Sequence, residues 1–105
     1  MIHAKFITTD NKLIGFTVCG HGTDNEDDFE GRLICSAVSS AVYMAVNTIT
    51  DVIGAKIEYS DEGDEFSVKV LTNLSQSEVI LKGLEMHLKA LKEEYKNKIT
   101  IISEV

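Results

Sequence analysis

The N-terminal part of the chain alternates between apolar and polar residues in two short segments. Residues 2–8 and 13–19 are rich in Ile, Phe, Val and Thr, and residues 10–12 between them, Asp-Asn-Lys, have the composition of a turn. The pattern predicts a β-hairpin. We expect the apolar residues on one face of its second strand to be buried: Ile14, Phe16 and Val18.

A helical period follows, in which apolar residues recur every three or four positions from residue 33 to residue 53. The positions on this stripe are Ile34, Val38, Ala41, Val42, Ala45, Ile49 and Val52. Many of the remaining residues are small, so the helix can approach a sheet or another helix closely. Gly54 is predicted to end it, because glycine tolerates the left-handed conformation that often follows a helix.

The second half repeats the strand–turn–strand pattern in residues 55–60 and 65–71, with the turn at residues 61–64. Ser75 and Glu78 have the spacing of a capping box and open a second helix that runs to about Tyr95. Its apolar stripe consists of Ile80, Leu81, Leu84, Leu88 and Leu91. Residues 99–102 form a last strand. The order ββαββαβ predicts an α+β fold, with a mixed or antiparallel sheet packed against two long helices in one domain, residues 1–105.

Composition and charge narrow the class of function. The chain of 105 residues carries a net charge of −7 and has no basic stripe, which argues against direct nucleic-acid binding. We find no run of 18 apolar residues and no signal peptide, so we expect a cytoplasmic protein that does not span a membrane. The acidic surface suits a basic partner, but charge alone is more typical of a surface that only aids solubility.

The two cysteines, Cys19 and Cys35, are too few for a disulfide scaffold and lack the spacing of a zinc site. The sequence also has no GxGxxG, Walker A or HExxH motif and no EF-hand loop, so we expect neither a cofactor nor a metal ion.

Cys35 and His21 are the residues that best fit covalent chemistry. The predicted helix places Cys35 in its first turn, where free N–H groups and the helix dipole favour a thiolate. His21 stands between Gly20 and Gly22 directly after a strand, and a histidine can take the proton of a thiol near neutral pH. The alternatives stay open: a cysteine is often a small buried hydrophobe, and a loop histidine is often only solvated.

Residues 20–32 join these two positions and read as a mobile acidic loop. Its acidic residues are Asp24, Glu26, Asp27, Asp28 and Glu30. We hypothesise that they steer a basic substrate towards the site, since complementary charge mainly accelerates association. Phe29 is the large apolar residue of the loop, and we expect it to fold over a bound substrate.

The segment Gly20-His21-Gly22, the loop and the segment Leu33-Ile34-Cys35-Ser36-Ala37-Val38-Ser39 together resemble the ribosomal-processing cysteine protease (Prp) family. The resemblance extends over essentially the whole chain. It implies a homodimeric peptidase that removes a short N-terminal extension from a large-subunit ribosomal protein and cleaves after aromatic residues.

The same resemblance assigns roles to residues. It implies His21 as the base, Cys35 as the nucleophile and Ser39 as a serine near the site. Arg32 stands where the family often has Asp, and its guanidinium also favours a thiolate. The alternative is a non-catalytic module that holds a basic ribosomal protein or assembly factor, with Cys35 in the core.

Overall fold

The computed structural model describes residues 1–20 and 28–104. In these residues the chain forms five strands and two long helices in the order ββαββαβ. The strands are β1 (Ile2–Thr9), β2 (Lys12–Gly20), β3 (Ile57–Glu62), β4 (Glu65–Val70) and β5 (Ile99–Glu104), and the helices are α1 (Phe29–Asn47) and α2 (Leu74–Glu94). A π-helical turn, Thr48–Val52, extends α1. The predicted α+β class is confirmed.

The strands form a single mixed sheet in the order β3-β4-β2-β1-β5. The pairs β1–β2, β2–β4 and β3–β4 are antiparallel, whereas β1 and β5 run parallel. Parallel neighbours need a crossover connection, and α2 provides it by carrying the chain from β4 to the opposite edge of the sheet. The buried side chains of both helices and of alternate strand positions belong to one hydrophobic core, so both helices cover the same face.

The core is built around side chains that are almost completely excluded from solvent: Phe6, Phe16, Ile34, Ile49, Leu81, Leu88 and Ile99. The rings of Phe6 and Phe16 lie with their centroids 6.2 Å apart across the β1–β2 pair. The other face of the sheet is polar, as the hydrogen bond of 2.9 Å between the Thr17 and Ser67 hydroxyls shows. One apolar and one polar face explain the alternating pattern of the strands.

The first hairpin has the predicted turn but a different register near it. Asp10 and Asn11 both have positive φ, 52° and 64°, as a two-residue turn between twisted strands requires. Ile7 pairs with Gly15 and Thr8 with Leu13, so Ile14 is the extra residue of a β-bulge. The bulge turns Leu13 into the core and leaves Ile14 half-buried. The prediction that Ile14 shares the buried face of Phe16 is therefore wrong.

Helix α1 begins earlier than the apolar period predicted. The side chain of Asp28 accepts a hydrogen bond from the Gly31 N–H at 3.0 Å and caps the helix, which starts at Phe29. Residues 29–32, predicted to belong to the loop, are thus helical. At the other end Gly54 has a φ of 81°, as predicted for a residue that ends a helix.

The predicted capping box of α2 is wrong, because Ser75 and Glu78 contact another element. Asn73 precedes the helix with a left-handed φ of 53°, and no side chain caps the first turn. Lys12 donates to the Ser75 hydroxyl at 2.9 Å, and the Leu13 N–H donates to Glu78 Oε2 at 2.7 Å. These polar side chains therefore attach α2 to the start of β2.

The surface of α2 carries two pairs of opposite charge. Glu78 lies 3.9 Å from Lys82, and Glu85 lies 3.8 Å from Lys89, each one turn apart on the helix. Exposed pairs of this kind contribute about 0.3–0.5 kcal/mol each, so α2 depends mainly on its buried leucines for stability.

The outer face of α1 is unusual for a surface helix. By length and composition the segment Phe29–Val52 could cross a membrane, with a mean hydropathy of 1.5 over a stretch of 18 residues, although the core helix of a globular protein meets the same criteria. Only 28% of that stretch is buried, and no residue from Leu33 to Thr50 is charged. Its exposed large apolar side chains include Tyr43 and Met44.

Candidate active site

Cys35 lies in the second turn of α1, one turn further into the helix than predicted, because the helix starts at Phe29. Its side chain is half-buried against the core. The free N–H groups of the helix and its dipole act mainly within the first turn, so Cys35 lies beyond the position for which their effect was predicted.

A cavity of about 260 Å³ opens beside Cys35. Its walls come from four elements: the start of β1, the end of β2, the face of α1 and the turn between β3 and β4. The residues of the wall are Ile2, Val18, Gly20, Cys35, Val38, Ser39, Gly63, Asp64, Glu65 and Phe66. The thiol thus faces a space that is apolar on the helix side and acidic at the hairpin turn.

Gly20 is a structural requirement of this cavity. Its φ is 89°, and a Cβ atom built on it would lie 2.3 Å from the carbonyl oxygen of Met1. Its N–H donates to the Asp64 carbonyl at 3.0 Å and ties the end of β2 to the β3–β4 turn. A side chain at this position would both strain the backbone and displace Met1. The chain therefore leaves β2 at the edge of the cavity, and the next residue is His21.

His21 and Gly22 lie outside the described residues, as do Asp24, Glu26 and Asp27. The two histidines that the structure describes do not line the Cys35 cavity. His3 shares a hydrogen bond of 2.7 Å with the Thr100 hydroxyl, and His87 belongs to α2.

Ser39 is exposed one helical turn beyond Cys35 and lines the same cavity, and its role at the site stays a prediction. Phe29 and Arg32 occupy the first turn of α1, where the Arg32 guanidinium carbon lies 6.0 Å from the centre of the Phe29 ring. Both are exposed, and neither lines the cavity. Substrate contact by Phe29 stays a prediction.

Asp28 has a different role from the one predicted for the acidic loop. Besides capping α1, its carboxylate accepts a hydrogen bond of 2.5 Å from Lys98 Nζ, and both side chains are about three-quarters buried. It is therefore a structural carboxylate, while Glu30 is exposed. Asp64 and Glu65 also line the cavity, although the sequence pattern predicted them only as turn and strand residues.

Cys19 lies on the sheet face opposite Phe16 and Val18 and pairs with His3 across the β1–β2 ladder. The two cysteines, both in the described part of the chain, form no disulfide. Within residues 1–20 and 28–104 no three His, Cys, Asp or Glu side chains are placed to hold a metal ion.

Comparison with known proteins decides the family. Residues 1–100 match the model of the family described as cysteine protease Prp. The chain belongs to this family. It is therefore a cysteine protease, and the fold that it shares with Prp structures is the predicted one.

A relative of known activity aligns with most of the chain. The ribosomal processing cysteine protease Prp of Staphylococcus aureus (strain Mu50 / ATCC 700699) is 24% identical over 98 residues, which cover 90% of this chain and 91% of the relative.

Two crystal structures of an essential ribosomal processing protease Prp from S. aureus share the fold. The complex with a covalently linked product peptide has a TM-score of 0.79 at 24% identity and covers 99% of this chain and 100% of its own. The complex with a substrate peptide has a TM-score of 0.86 at 18% identity with the same coverage.

Proposed function

We propose that this Prp-family protease removes a short N-terminal extension from a large-subunit ribosomal protein, with Cys35 as the nucleophile and His21 as the base. The observation that carries the proposal is the position of the Cys35 side chain on a cavity walled by two strand ends, α1 and a hairpin turn. The name of the S. aureus relative, a ribosomal processing protease, supports the class of substrate.

The proposed reaction follows the usual course of covalent catalysis by cysteine. His21 takes the proton of the Cys35 thiol, and the sulfur attacks the carbonyl carbon of the scissile bond. His21 returns the proton to the leaving amine as the carbon–nitrogen bond breaks, and a thioester remains on Cys35. Water then attacks the thioester, with His21 as the base, and the N-terminal fragment leaves as a carboxylic acid.

The surrounding residues have supporting roles in this proposal. Gly20 ends β2 at the edge of the cavity, directly before His21 in the sequence, and Ser39 offers a hydroxyl to the bound peptide. Arg32 places a positive charge in the first turn of α1, one turn before Cys35. Gly22 follows His21 in the sequence and is a further supporting residue, and Phe29 contacts the substrate from the start of α1.

A mutation pair tests the nucleophile. Cys35→Ala should abolish cleavage of an N-terminally extended ribosomal protein, measured by mass spectrometry, while circular dichroism shows a folded protein. Cys19→Ser is the matched control and should retain activity, because Cys19 lies on the other side of the sheet. Cleavage by a folded Cys35→Ala variant would disprove the assignment.

We also propose a cytoplasmic homodimer, in which the face of α1 that carries Met44 contacts a second copy. The chain has a net charge of −7, so two copies repel each other, and the repulsion is weakest where they meet through uncharged surfaces. The segment from Leu33 to Thr50 carries no charge. A groove between α1 and α2, about 720 Å³ in volume and lined partly by small residues, accommodates a close approach. Cytoplasmic location follows from a substrate that is made for the ribosome.

Sedimentation velocity tests the dimer. Met44 is 65% exposed beside this groove, so Met44→Glu should fold normally and sediment as a monomer at concentrations where the wild type is a dimer. A wild-type monomer, or a Met44→Glu variant that remains a dimer, would show that this face is not the interface.

A further inference from the structure

The cavity beside Cys35 is one end of a longer groove. A second cavity of about 400 Å³ adjoins it along α1. Five residues line both cavities, which makes them continuous: Val18, Val38, Ser39, Gly63 and Phe66. The groove therefore runs from Cys35 along the helix towards its C-terminal half, with the β3–β4 hairpin as its other wall.

The spacing of residues on α1 gives the length of this groove. Cys35, Ser39 and Tyr43 follow one another at intervals of four positions on one face of the helix. A rise of 1.5 Å per residue places Tyr43 about 12 Å from Cys35 along the axis. An extended peptide advances about 3.3 Å per residue, so it covers this distance in three to four residues.

The distal cavity has the chemistry of a subsite for an apolar side chain. Val42, Val46 and Phe66 form its walls, and Tyr43 stands at its margin with 70% of its surface exposed. Phe66 is held in place by the rings of Phe16 and Tyr59, with centroids at 6.4 and 6.5 Å. This wall is thus rigid, whereas Tyr43 gains contact area only when a ligand fills the space.

The polar edge of the groove is acidic. Asp61 lies at the distal cavity, and Asp64 and Glu65 lie at the Cys35 cavity. No basic residue occurs from Ile57 to Val68 on the hairpin wall. This edge complements a peptide with basic residues. It therefore fits the N-terminal region of a ribosomal protein better than it fits an acidic peptide.

We propose that the distal cavity is a specificity subsite, which binds an apolar substrate side chain three to four residues from the scissile bond, and that Tyr43 determines its selectivity. The inference rests on the proposed function, because it takes Cys35 as the point of cleavage. Continuity with the Cys35 cavity and the acidic edge together identify the occupant as the substrate peptide itself.

A quenched-fluorescent peptide tests the subsite. The parent peptide spans the processed junction of an N-terminally extended ribosomal protein, with five residues on each side of the bond. In four further peptides the third or fourth residue on either side is replaced by glycine. Tyr43→Ala should lower kcat/KM for the parent about tenfold, the lower end of the selectivity of an apolar pocket.

Coupling and controls identify the subsite. With the wild-type enzyme, one of the glycine peptides should have a kcat/KM about tenfold lower than the parent peptide. With the Tyr43→Ala enzyme, the same peptide should show almost no further decrease in kcat/KM, since both changes remove the same contact. Tyr43→Phe retains the ring and should behave as wild type. Met86→Ala is the control: Met86 is 71% exposed on α2 and lines neither cavity of the groove, so kcat/KM should not change.

Binding separates this inference from the proposed function. In the Cys35→Ala background, anisotropy of a labelled parent peptide should report weaker binding when Tyr43→Ala is added. If the wild type does not cleave the peptide but this difference in binding is present, the subsite is correct and the proposed peptidase substrate is wrong. If Tyr43→Ala changes neither cleavage nor binding, or affects all five peptides equally, the subsite proposal is overturned.

Discussion

Asp28 connects the start of α1 to the strand at the edge of the sheet. One carboxylate oxygen accepts the Gly31 N–H at 3.0 Å, and the other accepts Lys98 Nζ at 2.5 Å. Lys98 immediately precedes β5, which pairs with β1. The side chain therefore orients the helix that carries Cys35 relative to the sheet that forms the opposite wall of the site.

The two contacts allow an estimate of what Asp28→Ala removes. Loss of an N-cap costs about 1 kcal/mol. The ion pair joins side chains that are 27% and 23% exposed, so its value lies near the upper end of exposed pairs, about 1 kcal/mol. We expect the free energy of unfolding to fall by about 2 kcal/mol. A domain of this size loses roughly 4–8 °C in Tm per kcal/mol, which gives a decrease of roughly 8–16 °C.

Two further variants separate the contributions. Asp28→Ser retains a capping oxygen and loses the ion pair. Lys98→Met also removes the ion pair and leaves the Asp28 cap in place. Each variant should therefore lose about 1 kcal/mol of stability. Urea unfolding followed by circular dichroism measures all three. If Asp28→Ala is no less stable than Asp28→Ser, the cap does not contribute. If Lys98→Met is as stable as the wild type, the ion pair does not contribute.

Three other substitutions have expected outcomes. Gly20→Ala should lower the free energy of unfolding by at least 1–2 kcal/mol, because of the positive φ and the approach of 2.3 Å to the Met1 carbonyl oxygen; unchanged urea unfolding would contradict this. His21→Ala should slow cleavage by about 10²–10⁴-fold, and an unchanged rate would exclude His21 as the base. Glu78→Ala should destabilise by roughly 1.5–3 kcal/mol, because the part-buried Leu13 N–H loses a charged acceptor. Glu78→Gln keeps an acceptor and should lose less; equal losses would show that this bond is unimportant.

Much of the fold could be predicted because burial has a local period. In the predicted apolar stripe of α2 the four leucines are buried and Ile80 is half-buried, and the turn at Asp10 and Asn11 formed as its composition indicates. Both depend on residues close together in the chain. Ser39 lines the same cavity as Cys35, since positions four apart lie on one face of a helix.

Only the tertiary structure decided where α1 starts, what Glu78 contacts and that a groove lies beside Cys35. Asp28 starts α1 before the apolar period begins, with its second carboxylate oxygen on Lys98, distant in the chain. Glu78 has the spacing of a capping residue, yet it accepts the Leu13 N–H at a bulge that only strand pairing could produce. The groove beside Cys35 exists because β2 pairs with β4 and brings the hairpin turn to the helix. Such pairings depend on which distant surfaces become buried together, and no local pattern encodes that choice.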